Sequence, residues 1–449
     1  MKLPAYPRYK PSGVEWLGDV PEHWEVKRSD AIVSADRSQL SPERFADRDV
    51  FHYSIPVVQE TGTGQVENGE SIASAKQVVK KPVVLVSKLN PRKATICLAK
   101  PQAILTLCST EFVALNADKC ELGFLEYLTR SELFRQGLDS KVQSVTRIHQ
   151  RANPTDIYKF WNAWPTLDDQ RTIAAFLDRE VGRVDRLVAK KRELIERLKE
   201  KRTALISRTV TRGLPPDAAR AAGLPVNPPL KPSGVPWFDE CPSHWRTKRL
   251  RHISDFIVVG VVVNPLSYVT DEGVVFLLGG DVREMRIDTT DCKRCSPESS
   301  NGPLVKSRLD AGDLVVVRVG YPGIAAVVPL ELAGGNVASM MLVRKHPRFC
   351  SQWLAYAFNS KVGRDQVEIV QYGAAQKQFN ISHAVDFSFP FPPLPEQAAI
   401  AAYLDEETAK LDALVGKVEE AVERLQEYRT ALITAAVTGK IDVREVVTT

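Results

Sequence analysis

One long segment occurs twice in this chain, and it restricts the possible folds more than any other feature. Residues 165–206 read PTLDDQRTIAAFLDREVGRVDRLVAKKRELIERLKEKRTALI, and residues 392–433 read PPLPEQAAIAAYLDEETAKLDALVGKVEEAVERLQEYRTALI. In the first copy Ile173, Leu177, Val184, Leu187, Leu194, Leu198 and Leu205 recur in steps of three and four or their sums. In the second, Ile400, Leu404, Leu411, Leu414, Val418, Ala421, Leu425, Tyr428 and Leu432 do the same. This heptad spacing predicts two long helices, each with one apolar seam. Thr166 is placed to cap the first, and Pro395 fits the first turn of the second. Glu193/Arg197 and Glu420/Arg424 add support at i,i+4. Gly213 with Pro215, and Gly439, are the stop signals. At 1.5 Å per residue each helix spans roughly 55–60 Å. A helix of that length cannot bury its seam alone, and the available partner is the other copy.

A second repeat opens each half. KPSGVEWLGDVPEHWEVKR (10–28) and KPSGVPWFDECPSHWRTKR (231–249) share eleven of nineteen positions. The order is therefore opening string, variable region, helix, given twice. An antiparallel helix pair places the two variable regions at opposite ends of a rod, related by a pseudo-two-fold axis. A parallel pair would force the linker GLPPDAARAAGLPVNPPL (213–230) to run back along the helix, which it could only just span when extended. The expected fold class is α+β: two mixed α/β domains separated by a pair of long antiparallel, coiled-coil-like helices. The expected boundaries are 1–164, a helix at 165–213, a linker at 214–229, 230–391, and a second helix at 392–449. His23 and His244 in the opening strings have no nucleophile beside them. Trp16, Trp24, Trp237 and Trp245 are expected to fasten each domain onto the helix ends.

The variable regions, 29–164 and 250–391, share pattern rather than sequence. Strand-like runs cover 81–89, 103–115, 313–319 and 323–330, and amphipathic helices are expected at 121–137 and 350–363. Polar side chains cluster after these elements: Lys88, Asn90, Arg92 and Lys93, then Arg147, His149, Gln150 and Arg151 in the first half. Arg318 and Tyr321, then Gln376, Lys377, Gln378 and Asn380, follow in the second. Arg, Lys, Gln and Asn pair with phosphates and base edges, and loops on a rigid scaffold commonly carry binding residues. Ordinary polar loops have the same composition. The net charge is only +5, but 186–212 carries ten Lys and Arg against three Glu. Such a stripe suits an anionic neighbour, or simply a solvated helix face. There is no apolar run of membrane-spanning length and no signal-peptide core, so a cytoplasmic location is expected. Seven scattered Cys fit reduced thiols. The pair Cys292/Cys295 has no companion pair for zinc, and no metal is expected.

Taken together these strings resemble the specificity (S) subunit of type I restriction–modification systems. YKPSGVEWLGDVPEHWEVKR and LKPSGVPWFDECPSHWRTKR are similar to the segments that open that family's target-recognition domains. GAAQKQFNIS (373–382), leading into FPFPPLPEQAAIAAYLDEETAKLD, resembles the exit from such a domain into its helix. WPTLDDQRTIAAFLDREVGRVD is the first-half counterpart, without Pro-Glu-Gln. The resemblance implies a subunit without catalysis of its own. Each recognition domain would read one half of a bipartite, asymmetric double-stranded DNA site. The helices would set the gap and dock two adenine-N6 methyltransferase (M) subunits, with motor–nuclease (R) subunits joining through them. S-adenosylmethionine, ATP and Mg would belong to those partners, and no cofactor to this chain. The polar residues named above are the expected DNA contacts, and the seam residues the expected docking surface. Two other readings stay open. One is a stand-alone adenine methyltransferase, since NPPL (227–230) resembles that chemistry's Asn-Pro-Pro-aromatic string with Leu replacing the aromatic. The other is a coiled-coil scaffold joining two protein-binding modules. No GxxxxGK[ST] string is present for a motor of its own.

Overall fold

The structure is a computed structural model. It describes residues 3–36, 38–93, 95–140, 143–144, 150–374 and 376–444. The chain divides into two compact units: 1–192 with 419–449, and 193–418. Each unit takes part of both long helices.

In unit 1 four strands, β1 (Ser34–Asp36), β2 (Val83–Ser87), β3 (Ile96–Ala99) and β4 (Phe112–Asn116), form a sheet of order β3-β2-β4-β1, antiparallel throughout. The run VVLVS of β2 is buried along its whole length, which suits a strand covered on both faces. A second sheet holds a parallel pair, Thr106–Ser109 beside Asp49–Tyr53. The apolar run 103–115 is thus two strands in two sheets, turned at 110–111. Two helices follow, α1 (Leu122–Arg130) and α2 (Glu132–Asp139). The single helix expected at 121–137 breaks at Ser131, whose backbone is extended (φ −63°, ψ 150°) and whose hydroxyl accepts from Phe134 N–H. That is the competition with helix continuation expected of serine. The strand Trp161–Trp164 then pairs with Glu25–Arg28 and leads into α3 (Leu167–Arg212).

Unit 2 repeats this plan with different residues. Strands β5 (Ile257–Val259), β6 (Leu314–Val316), β7 (Ala325–Val327) and β8 (Met341–Val343) are ordered β7-β6-β8-β5. Its second sheet also contains one parallel pair, Val274–Leu277 beside Asn336–Val337. Helices α4 (Ser351–Asn359) and α5 (Lys361–Val370) break at Ser360, where one helix was expected at 350–363. Ser388–Phe391 pairs with Arg246–Arg249 and leads into α6 (Leu394–Val437).

The long helices begin and end where their caps predict. Thr166 Oγ1 accepts from Asp169 N–H at 3.2 Å. Gly213 (φ +81°) and Gly439 (φ +72°) hold the left-handed conformation that ends a helix. With 46 and 44 residues the helices are longer than the repeat itself, about 66–69 Å. They pack antiparallel. In unit 1 Arg429 pairs with Asp185 at 2.9 Å, and in unit 2 Arg202 pairs with Asp412 at 3.0 Å. These are one contact made twice, since both partners shift by 227 positions under the repeat.

The seam differs from its sequence reading. Ile173, Leu177, Val184 and Leu198 are buried in the first helix and Ile400, Leu404, Val418 and Leu432 in the second, while Leu205, Leu411 and Leu425 are partly covered. Leu187, Leu194, Leu414 and Tyr428 are exposed, and Val188, Ile195 and Val422 are buried instead. The helix keeps its own 3.6-residue period after Val184, so the buried stripe advances by four to Val188. A strict heptad favouring the larger leucines slips to the neighbouring face.

Each opening string joins its unit to both helices. Trp24 is fully buried in the unit 1 core, edge-on to Tyr6, with Phe124, Ile173, Leu177, Leu432, Ile433 and Val437 in the same cluster. Its ring lies against Gly439, where an added Cβ would also meet Pro21 Cδ at 2.4 Å. Trp245 is fully buried in the unit 2 core beside Gly213. His23 pairs with Asp169 at 3.3 Å in the first turn of α3, and His244 with Glu396 at 2.9 Å in the first turn of α6. The histidines are therefore ties to helix starts. Trp237 is half-buried, and Trp16 is largely exposed with one face on Phe160. Replacing Trp24 or Trp245 by Ala should cost about 3–5 kcal/mol of stability. Thermal unfolding of the full chain measures it, and a change under 1 kcal/mol would refute the role given to these rings.

Candidate nucleic-acid interface

In both units the surface beyond the end of the second sheet strand, β2 or β6, is built by the same backbone joint. In unit 1, Ala152 N–H donates to Lys88 C=O at 2.8 Å, and Leu89 bridges Arg151. In unit 2, Phe379 N–H donates to Arg318 C=O at 3.2 Å, and Val319 bridges Gln378. Lys88 and Arg318 therefore occupy one structural position, a cation just past the strand end. Each strand end is held by the segment that follows the helix pair of its own unit. The described members of the two loop clusters named in each half thus share one backbone joint.

In unit 1 the site contains Lys88, Asn90, Lys93 and Arg151. Lys88 is half-buried; burial lowers the pKa of its ammonium, nearby Glu111 opposes that shift, and Arg151 adds to it. Arg151 is not free, because its guanidinium holds Glu111 at 2.7 Å. Asn90 takes a left-handed backbone (φ +47°), and its carbonyl accepts from Lys93 N–H. That turn starts the short helix Pro91–Lys93 and leaves Lys93 exposed. Arg147 and His149 lie outside the described residues, as do the side chains of Arg92 and Gln150. Beside Lys88 is a cavity of about 320 Å³ whose walls include Gln39, Gln77, Asn153 and Tyr158. Gln77 is nearly buried and donates to Phe112 C=O at 2.8 Å.

In unit 2 the Arg318 guanidinium reaches Ser339 C=O and Phe379 C=O at 3.4 Å each, long contacts that leave donors for a ligand. Gly320 N–H donates to Lys377 C=O at 2.9 Å. Gly320 and Gly323, both at positive φ, frame a turn that carries Tyr321 with its side chain largely in solvent. Gln376 and Lys377 are exposed and Gln378 half-buried, while Tyr372 Oη donates to Asn380 Oδ1 at 2.9 Å. The cluster offers cations, amides and a phenol together, the set that binds phosphate and base edges.

One residue escaped the sequence reading. Asn153 stands 227 positions before Asn380, caps the helix Pro154–Tyr158 through Thr155 N–H at 2.9 Å, and lines the cavity beside Lys88. The repeat offset alone carries Asn380 back onto it. Asn227, of the methyltransferase-like string, has φ +48° and lines a cavity of about 310 Å³ with Arg208, Arg212 and Tyr403. Leu230 begins a strand rather than a stacking platform. Cys295 is buried and Cys292 half-buried. Among the described residues no cluster of three or more His, Cys, Asp or Glu could hold a metal, and no helix is long and apolar enough to cross a membrane.

A protein provisionally described as the type I restriction enzyme MjaX specificity subunit, from Methanocaldococcus jannaschii, is 23% identical over 95% of this chain and 96% of its own length. The type I restriction enzyme EcoKI specificity subunit of Escherichia coli K12 is 24% identical over 39% of this chain and 38% of its own. A solved chain of the type I R-M system matches with TM-score 0.71 over 93% of this chain and 98% of that one, at 19% identity, a likeness of fold. No protein-family model matches. The chain is thus similar over nearly its whole length to a specificity subunit of a type I restriction–modification system, and shares the fold of a solved chain of such a system.

Replacing Lys88 or Arg318 by Ala should weaken duplex binding by about 1–3 kcal/mol and lower the log–log salt slope by about one. Equilibrium binding at several salt concentrations checks this, and an unchanged slope in both variants would exclude these cations from the interface.

Proposed function

We propose that each unit reads one half of a bipartite, asymmetric duplex DNA site, through the Lys88 surface in unit 1 and the Arg318 surface in unit 2. The long helices fix the unread gap between the half-sites and dock two adenine-N6 methyltransferase subunits, through which motor–nuclease subunits join. The chain itself is a non-catalytic reader. S-adenosylmethionine, ATP and Mg act in its partners.

One observation carries this reading: the backbone joint is the same in both units while the side chains on it differ. Lys88, Asn90, Lys93 and Arg151 stand on one, and Arg318, Tyr321, Gln376, Lys377 and Gln378 on the other. A shared scaffold with unlike side chains suits two unlike half-sites, whereas a symmetric dimer of one unit would suit a palindrome. Exposed Leu187, Leu194, Leu414 and Tyr428 leave apolar positions on the helices for a partner.

The experiment is a ruler test. Inserting one heptad in each helix, within 183–205 and within 410–432, adds about 10 Å, or three base pairs. The methylated motif, read by sequencing N6-methyladenine, should keep both half-sites and widen its gap by about three positions. An unchanged gap would refute the helices as the ruler. Methyl transfer to DNA by the isolated chain would instead favour the stand-alone methyltransferase.

A further inference from the structure

The proposed reading surface of unit 2 has an apolar border that its counterpart in unit 1 lacks. After β5 the chain runs Gly-Val-Val-Val-Asn-Pro-Leu (260–266), with Val262, Val263 and Leu266 exposed at 52%, 83% and 63%. Exposed apolar residues scattered singly over a surface are ordinary. Three within five residues, on one loop beside a cation, are not.

The loop is held firmly at its base. Gly260 packs so closely that an added Cβ would lie 2.3 Å from Val337 C=O, and its N–H donates to Met340 C=O at 2.8 Å. Val261 N–H donates to Val337 C=O, and Val261 C=O accepts from Ser339 N–H at 2.8 Å. Asn264, at φ +43°, turns the chain and begins the short helix Pro265–Tyr268. Ser339 connects the loop to the site, because its carbonyl also receives Arg318 Nε. The base of the loop, at Val261, is therefore joined to the Arg318 cation through the single residue Ser339. In unit 1 the segment after β1 reads Ser-Gln-Leu-Ser at 38–41, which is mainly polar.

A surface that faces a polyanion gains nothing electrostatic from valine and leucine. The apolar feature available in the major groove is the 5-methyl group of thymine, which stands beside the acceptors that arginine and glutamine address. We infer that the 262–266 loop contacts thymine 5-methyl groups, so that the half-site read by unit 2 contains at least one T·A pair recognised by its methyl. This rests on the function proposed above. It assigns the loop a specificity-determining role and gives part of the target.

The test uses the full chain in complex with its methyltransferase partner. Once the methylated motif is known, each thymine of the two half-sites is replaced in turn by deoxyuridine, which removes only the methyl. At one or two positions of a single half-site, binding should weaken roughly three- to fivefold per methyl. Val263→Ser should abolish that dependence and leave every deoxyuridine effect in the other half-site unchanged. Val263 is so exposed that the substitution should not disturb folding, which a melting curve confirms. A half-site for unit 2 without thymine, no deoxyuridine effect within it, or a penalty that persists in Val263→Ser would each overturn the inference while leaving the bipartite reading intact. If loop variants fail to join the methyltransferase but bind DNA normally, the loop is a protein contact and the inference is wrong. If no bipartite duplex is bound at all, the proposed function falls and takes this inference with it.

Discussion

Everything in this molecule depends on the burial of a tryptophan against the glycine that ends a long helix. Trp24 sits against Gly439, and Trp245 against Gly213. The glycine is needed twice over at 439. Its φ of +72° disfavours a side chain, and a Cβ there would collide with Pro21. Around each ring the cluster draws on the opening string, the β-rich domain and both long helices. Unit 1 buries Leu432, Ile433, Ala436 and Val437 from the far end of the chain, so its core is complete only when the last helix is in place. The repeat is thus a condition of stability: each helix ends in a core that the other half of the chain begins.

The same logic runs through the polar contacts. Tyr127 Oη donates to Asp178 and Tyr356 Oη to Asp405, each at 2.7 Å. Gln170 and Gln397, both buried, each donate to a proline carbonyl five residues earlier at 2.8 Å and accept from the backbone just before α1 or α4. Thr434 and Ser207 accept from the first N–H of α2 and α5. Buried amides without partners would be costly, which accounts for their presence in both halves. Between these fixed joints the two candidate surfaces carry different side chains. A rigid frame of this kind lets a loop change its side chains without changing its place.

Much of the architecture was legible in the sequence because it is written twice. The cap at Thr166, the first-turn proline at Pro395 and the stops at Gly213 and Gly439 follow from local chemistry, and of the four tryptophans expected as anchors Trp24 and Trp245 are fully buried while Trp16 is exposed and Trp237 half-buried. The seam was read less well. Heptad counting chose Leu187, Leu194 and Leu414 over Val188, Ile195 and Val422, since residue size does not report which side of a 3.6-residue turn is covered. The breaks at Ser131 and Ser360 were invisible to periodicity, which continues across them. At the candidate site, composition names two polar clusters in each half, but the equivalence of Lys88 and Arg318 depends on backbone pairing between segments about sixty residues apart. Glu111, which engages Arg151, gave no sequence signal at all.

In the proposed function, one chain with two unlike reading surfaces defines one bipartite target. The most direct measurement is a genome-wide map of N6-methyladenine in cells with this gene intact and with it deleted. A single asymmetric motif of two unlike half-sites around a fixed unread gap is expected, present with the gene and lost without it. A motif that is continuous or palindromic, or that persists after deletion, would contradict it.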